Sequence, residues 1–228
     1  MHFDDRDLEF QSRMQNELKQ APEEFLVAYN RMADGNLEQA VDLFPSVIPI
    51  LDEINQTWSG AAHCCYAYCL KELGQYNQAL EVAGKGTKRG LNLTGGWYYY
   101  NAITDALNYT DNLASAAEAV DAAISFFHSQ EALAHVSVYL DRKANILKQL
   151  SSRLSWDSTM TDEAKKFIID GIWAVCMSLS ITRADSLLME KELNAMANIA
   201  ARVGVTRMDL PFLDTMKSIL DVVEPFFG

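Results

Sequence analysis

The chain has 228 residues, 49% of them hydrophobic and 22% charged, with 19 Lys and Arg against 31 Asp and Glu for a formal charge of −12. That composition supports a real core and excludes wholesale disorder, while the acidic field repels a nucleic-acid backbone. No segment holds the roughly 20 apolar residues needed to span a bilayer, and Met1–Asp7 lacks the basic head and apolar core of a secretory leader.

Residues 4–20 read as a charged helix with Leu8, Phe10, Met14 and Leu18 as its apolar positions. Pro22 suits a first helical turn, followed by the dipole-favoured acids Glu23 and Glu24. The next helix runs to about Met32 and stops at Asp34-Gly35. Its partner starts near Leu37 and carries Pro45 and Pro49, which predict a kink or a break. Helical periodicity covers 58–73, stops at Gly74 and resumes over 76–88, after which Gly90, Gly95 and Gly96 bracket an expected loop. Further helices are expected over 97–109, 113–128 and 130–150, then a loop from Ser151 to Thr161 around Trp156. Helices near 162–180 and 183–203, a stop at Gly204 and a last apolar helix over 208–224 complete the pattern. The reading is all-α.

Three segments share one signature: Gly35-Asn36-Leu37-Glu38-Gln39-Ala40, Gly74-Gln75-Tyr76-Asn77-Gln78-Ala79 and Asp111-Asn112-Leu113-Ala114-Ser115-Ala116. In each, a turn residue is followed by a large apolar residue and then an alanine. The alanines are 39 and then 37 residues apart. A fixed period in this range marks stacked units whose apolar faces cover one another.

Within residues 59–90, the stretch Ala67-Tyr68-Cys69-Leu70-Lys71-Glu72-Leu73-Gly74-Gln75-Tyr76-Asn77-Gln78-Ala79-Leu80 resembles the helix-turn-helix of a tetratricopeptide (TPR) repeat. Ala67 takes the small crossing position, Gly74 the turn, Tyr76 the staple and Ala79 the close approach. Residues 21–54 fit through Ala28, Gly35, Leu37, Ala40 and Phe44. Residues 97–130 fit through Ile103, Leu113, Ala116 and Ala123, with Asp111 in place of the glycine and Thr104 in place of the small residue. The units exceed the family's period of about 34 residues and lack its closing proline. Ala164 and Gly171 suggest a degenerate fourth unit. The resemblance implies a right-handed superhelical solenoid of helical hairpins. It would comprise an N-terminal acidic helix (1–20), three TPR-like units (21–130) and a C-terminal helical extension (131–228), all in one continuous domain. The apolar tail residues Val222, Val223, Phe226 and Phe227 would form the cap that closes the array, the alternative being an exposed surface for self-association.

Local catalytic motifs are missing. Gly84-Lys85-Gly86-Thr87-Lys88-Arg89-Gly90 lacks the glycine five places before the lysine and follows a helix, so it reads as a helix end and not as a phosphate loop. His63, Cys64, Cys65 and Cys69 offer soft ligands on one helix, but no second cluster completes a metal site. Reduced, buried thiols packing a tight interface in a cytoplasmic protein are expected instead. Neither a nucleophile elbow nor a zinc-protease motif occurs. Neither an enzymatic activity nor a cofactor or metal is expected. The tripeptides at Asn55, Asn92 and Asn108 read as chance glycosylation matches.

Trp97-Tyr98-Tyr99-Tyr100 cannot all enter a core from one helix. The resemblance places Phe25, Tyr29, Met32, Cys64, Tyr68, Lys71, Tyr98, Asn101, Asp105 and Asn108 on the inner surface of the array. Aromatic anchors beside amides suit an extended peptide, and with Lys71 as the sole cation among them a C-terminal carboxylate clamp is disfavoured. The expectation is a non-catalytic adaptor, scaffold or chaperone-like module holding a protein segment, with no nucleic acid or membrane as partner. The alternative is an acidic regulator that occupies a basic site on another enzyme.

Overall fold

The computed structural model describes residues 5–182, 186–216 and 219–227. The expected helix starts at residues 4 and 183, and Gly228, fall outside these. Among the described residues there are eleven α-helices: α1 (Asp5–Leu18), α2 (Glu23–Ala33), α3 (Leu37–Ile54), α4 (Gln56–Glu72), α5 (Tyr76–Thr87), α6 (Leu93–Tyr109), α7 (Leu113–Ser129), α8 (Leu133–Leu154), α9 (Thr161–Thr182), α10 (Ser186–Arg202) and α11 (Leu220–Phe227). They pack in sequential antiparallel pairs, giving the all-α class expected. The chain divides within α7 into two compact units, residues 5–119 and residues from 120 onward.

In the first unit α2 packs on α3, α3 on α4, α4 on α5 and α5 on α6, while α4 also meets α2 and α6. Each signature forms the same turn. Gly35, Gly74 and Asp111 have φ of +80°, +76° and +63°, the left-handed region that glycine enters most readily. Their N–H groups donate to Met32, Lys71 and Asn108 carbonyls, and the following residues donate to Arg31, Leu70 and Leu107. This paired closure satisfies carbonyls that a helix end would otherwise orphan. Next, Asn36, Gln75 and Asn112 carbonyls accept from Ala40, Ala79 and Ala116 and begin the second helix.

Small residues then let the helices approach. Ala28, Ala40, Ala67, Ala79 and Ala116 are buried, and Thr104, at the equivalent crossing of α6, is buried with its hydroxyl donating to the Tyr100 carbonyl at 2.7 Å. α4 lies close against α5 and the residues that follow it. A methyl on Gly86 would lie 2.8 Å from Cys64 Sγ and 2.9 Å from the Gly60 carbonyl, and one on Gly60 would strike the Gly90 carbonyl. Around these crossings Phe25, Phe44, Leu51, Trp58 and Cys65 form the main core.

Two sequence expectations change in this unit. Helix α3 is continuous from Leu37 to Ile54 through Pro45 and Pro49, so the break is not formed. Both prolines lie on the exposed face, where carbonyls deprived of their donors can be hydrated. Helix α6 begins at Leu93, four residues before its expected start. The Asn92 side chain accepts from the Gly95 N–H at 2.8 Å and draws Gly95 and Gly96 into the first turn, as a good N-cap does. Asn55 caps α4 in the same way, through the Trp58 N–H.

The second unit is built on two long helices. α8 and α9, each of 22 residues, pack through Val136, Leu140, Leu147, Ile168, Ile172 and Leu179, all buried. Ser137 and Ser178 hydroxyls meet at 2.8 Å inside this interface, and Ser151 donates to the Ala164 carbonyl at 2.7 Å. Helix α10 packs on both and on α11. Phe127 stacks between the rings of His135 and Tyr139 at 5.0 and 5.1 Å. Glu131, between α7 and α8, has φ +57° and repeats the turn bonding of the signatures. Gly204 ends α10 at φ +72° as expected. The expected loop after 150 is shorter: α8 extends to Leu154, and Ser158–Met160 forms a single 3-10 turn. The last segment is not one helix. Arg207–Asp209 and Pro211–Thr215 form 3-10 turns, with Pro211 in the first position of its turn, and only Leu220–Phe227 is α-helical. Val223 in it is fully buried, whereas Val222 is exposed.

Candidate binding surface

The first helix of each hairpin in residues 5–119 contributes to one strip of rings and polar groups. Tyr29 comes from α2, Tyr68 and Lys71 from α4, and Tyr98, Asn101, Asp105 and Asn108 from α6. The α6 residues are spaced three, four and three apart, which keeps them on one helical face. Tyr98 is the centre. Its ring meets Tyr29 edge-on at 6.0 Å and Tyr68 at 5.1 Å, and its hydroxyl lies 3.5 Å from that of Tyr29. Trp97 adds a further ring, 6.2 Å from Tyr68.

Lys71 continues the strip. Its ammonium sits 4.6 Å over the Tyr68 ring, donates to Asp105 at 3.2 Å and pairs with Glu72. It is 8% exposed, and a buried cation is tolerated because both acids and the ring face it. The lysine is thereby committed internally. Burial and the neighbouring Glu72 push the Tyr68 hydroxyl up to about 12. Burial raises Tyr98 and Tyr29 as well, so these phenols are neutral donors at physiological pH. The Oδ1 of Asn108 is buried with no hydrogen-bond partner.

The ten residues singled out from sequence divide into two sets. Phe25, Met32 and Cys64 are 0%, 5% and 0% exposed and belong to the core. Phe25 packs on Trp58 with ring centroids 4.7 Å apart and planes tilted, and Cys64 lies beneath the tight Gly86 crossing. In this conformation they present no side chain to a ligand. Phe25 and Met32 share the α2 face of Tyr29, and Cys64 the α4 face of Tyr68, but core side chains cover them. Tyr29, Tyr68, Asn101, Asp105 and Asn108 are partly exposed, while Tyr98 and Lys71 are nearly covered between them. Glu72 escaped sequence reading. Its position four residues after Tyr68 and next to Lys71 was the available signal.

A second polar constellation lies at the opposite ends of α3 and α4. Arg89 grips Asp52 with two bonds of 2.6 and 2.9 Å, and the Ser59 hydroxyl donates to Asp52 at 2.5 Å. His63 donates from Nδ1 to the Ser59 carbonyl at 2.9 Å, not to its hydroxyl. Serine, histidine and aspartate therefore form no proton relay. Ser59 is also fully buried. The cluster clasps α3, α4 and the end of α5. Arginine holds the Asp52 carboxyl down at about 2, and burial lowers His63.

All four cysteines are free and buried. Desolvation pushes the Cys69 and Cys176 thiols up to about 12, and Cys64 and Cys65 upward too, which disfavours the thiolate a metal or substrate needs. Among the described residues no group of three or more His, Cys, Asp and Glu is placed to hold a metal ion, and no helix is long and apolar enough to cross a membrane. Comparison of the chain with protein-family models, curated proteins and solved structures finds no match.

Proposed function

We propose that the hairpins of residues 21–119 form a TPR-like solenoid whose inner face, made by α2, α4 and α6, holds a segment of another protein. The observation that carries this reading is the continuous strip Tyr29–Tyr98–Tyr68–Lys71–Asp105. Three consecutive first helices supply it, and it joins rigid rings to polar groups without an ordered catalytic relay. Such rings supply contact area at low entropic cost, and polar side chains beside them satisfy an extended ligand's backbone. The internal pairing of Lys71 argues against recognition of a free carboxylate. With Glu72 and Asp105 against the single cation Lys71, the strip is acidic on balance and suits a segment that carries basic residues. The protein acts here as an adaptor or scaffold without catalysis.

The test is capture of partners from the protein's own cells by the wild type and by a Tyr29→Ala/Tyr68→Ala variant, with circular dichroism to confirm that the helices persist. Tyr98 is left intact because it also packs in the core. A specific partner should lose at least about ten-fold in recovery, as expected when two aromatic anchors are removed. Undiminished recovery of every partner rejects the strip as the site. The net charge of −12 supports a second reading, an acidic regulator covering a basic site. In that case binding should collapse with added salt while surviving the tyrosine changes.

A further inference from the structure

The two faces of α3 are chemically opposite. Ala40, Phe44, Val47 and Leu51 recur every three or four residues and are buried. The outward face carries two adjoining columns. One is Asp42, Ser46, Pro49 and Glu53, all exposed. The other is half-buried Leu43 followed by Ile50 and Ile54, which are 47% and 56% exposed. Steps of three, four and seven residues keep each column in line along the helix. Several features of this face lack the same thing, a positively charged donor. Helix α3 holds four acids, Glu38, Asp42, Asp52 and Glu53, and no Lys or Arg. Arg89 neutralises Asp52, but among the described residues no ion pair reaches Glu38, Asp42 or Glu53. Glu53 sits in the last turn, where the helix dipole already presents negative charge. Pro45 and Pro49 have no N–H, so the Val41 and Pro45 carbonyls lose their helical donors. The field is local too: residues 23–54 hold seven acids and one arginine. A face that only had to be solvated gains nothing from unpaired terminal acids or mid-helix prolines, each of which is unfavourable to the helix.

We propose that the outward face of α3 is a docking surface for a basic amphipathic helix of another protein. Its lysines or arginines meet Asp42, Glu53 and the freed carbonyls, and its aliphatic side chains cover Ile50 and Ile54. Charge complementarity selects this occupant. A neutral or acidic helix would desolvate the carboxylates without pairing them, which is costly. A second copy presenting the same face would set acid against acid, as a two-fold contact requires. The aliphatic column supplies the apolar burial that charge alone does not. This surface is on the second helix of its hairpin and does not depend on the strip made by α2, α4 and α6.

The test uses the full chain and a fluorescein-labelled, helix-forming peptide about four turns long, with leucines in one column and lysines in the next. A twin peptide carries glutamate in place of each lysine. At physiological ionic strength, fluorescence anisotropy should show the lysine peptide bound and the glutamate twin unbound. Ile50→Ser/Ile54→Ser leaves the charge unchanged and should weaken the lysine peptide about ten-fold or more. Asp42→Asn/Glu53→Gln should weaken it similarly and flatten its salt dependence. Trimethylating the lysines keeps their charge and removes their donors, which should weaken binding about three-fold or more. Circular dichroism checks that the variants stay folded, as expected for substitutions at exposed positions. Tyr29→Ala/Tyr68→Ala should bind the lysine peptide as the wild type does, so this surface and the strip fail separately. Binding that ignores the loss of Ile50 and Ile54 is attraction by net charge alone and overturns the proposal, as does equal binding of the glutamate twin.

Discussion

The two compact units bring helices together with different side chains. In residues 5–119 the approach is made over Gly60, Gly86, Ala67 and Ala79, with short helices closed by one recurring left-handed turn. From residue 120 onward, α8 and α9 run 22 residues each and meet through branched aliphatics around a buried serine pair. Small residues at a crossing bring backbones close and leave no room to adjust, whereas interlocking aliphatics can shift rotamers. The first unit should therefore be intolerant of added volume at Gly60 and Gly86, whereas Gly171 in the second leaves room for a methyl.

Adding one methyl is the sharpest way to break that contrast. Gly60→Ala should destabilise by about 3 kcal/mol or more and Gly86→Ala by about 1–3 kcal/mol, since both force atoms through backbone or a buried sulfur. At Gly171 of α9 the same methyl meets its neighbours at 3.5–3.6 Å, an ordinary contact. Gly171→Ala should be neutral or stabilising by up to about 1 kcal/mol through helix propensity. Urea denaturation measures all three, and a comparable loss at Gly171 would erase the difference between the units.

A smaller effect is expected at the tail. Val223 is buried where α11 packs on α10, so Val223→Ala should cost about 1.5–2 kcal/mol by the loss of two buried carbons. Deleting residues from Val222 onward should lower the melting temperature further and promote aggregation. Unchanged stability with loss of self-association would show that the tail is an interaction surface, not a cap.

The turns should respond by about 1 kcal/mol each. Gly74→Ala should destabilise by about 1–2 kcal/mol because its backbone stays left-handed, while Asp111→Gly and Glu131→Gly should each stabilise by up to about 1 kcal/mol. Thermal melts of the three variants check the sign. Stabilisation at Asp111 but not at Glu131 would separate the repeat turn from the turn that follows α7.

The smallest effect is on pH dependence. Asp52 titrates at about 2 in the folded chain, below the usual carboxylate value of 3.8. Its contribution is complete above pH 4 and is lost as pH falls toward 2. His63 is lowered from 6.5 by burial, so its neutral form also favours folding above that value, and acid erodes stability in the same direction. For a clasp that is one-third exposed, the Asp52 share is about 1 kcal/mol after solvent screening. Arg89→Gln should flatten the change in urea midpoint between pH 4 and pH 2.5.

The same contrast governs what the sequence made legible. Gly35, Gly74 and Asp111 punctuate the chain at near-constant spacing, and small residues follow at fixed distances, so the hairpins around them were readable. Glu131 adopts the same turn without any turn-forming residue to announce it, because its helix ends hold the bonds. The final segment misled, since its apolar spacing suits a helix but Pro211 and the bonding of Thr206 to Asp209 divert it into 3-10 turns. At the surface, helical phase identified which residues of α6 share a face. It could not separate Phe25, Met32 and Cys64 from Tyr29 and Tyr68 on the same faces, because burial there depends on which neighbouring groups, such as Trp58 over Phe25 and Gly86 over Cys64, close on each. Glu17 at the head of α6 was beyond any local pattern, being a contact across 76 residues.

Hydrogen exchange of the protein with its captured partner tests the central claim most directly. A segment held on the first-helix face should protect amides in α2, α4 and α6, strongest around Tyr68 and Asn101, and leave α3 and α5 unchanged. Protection confined to α3, α5 or residues from 120 onward, with α4 and α6 exchanging as in the free protein, would contradict it.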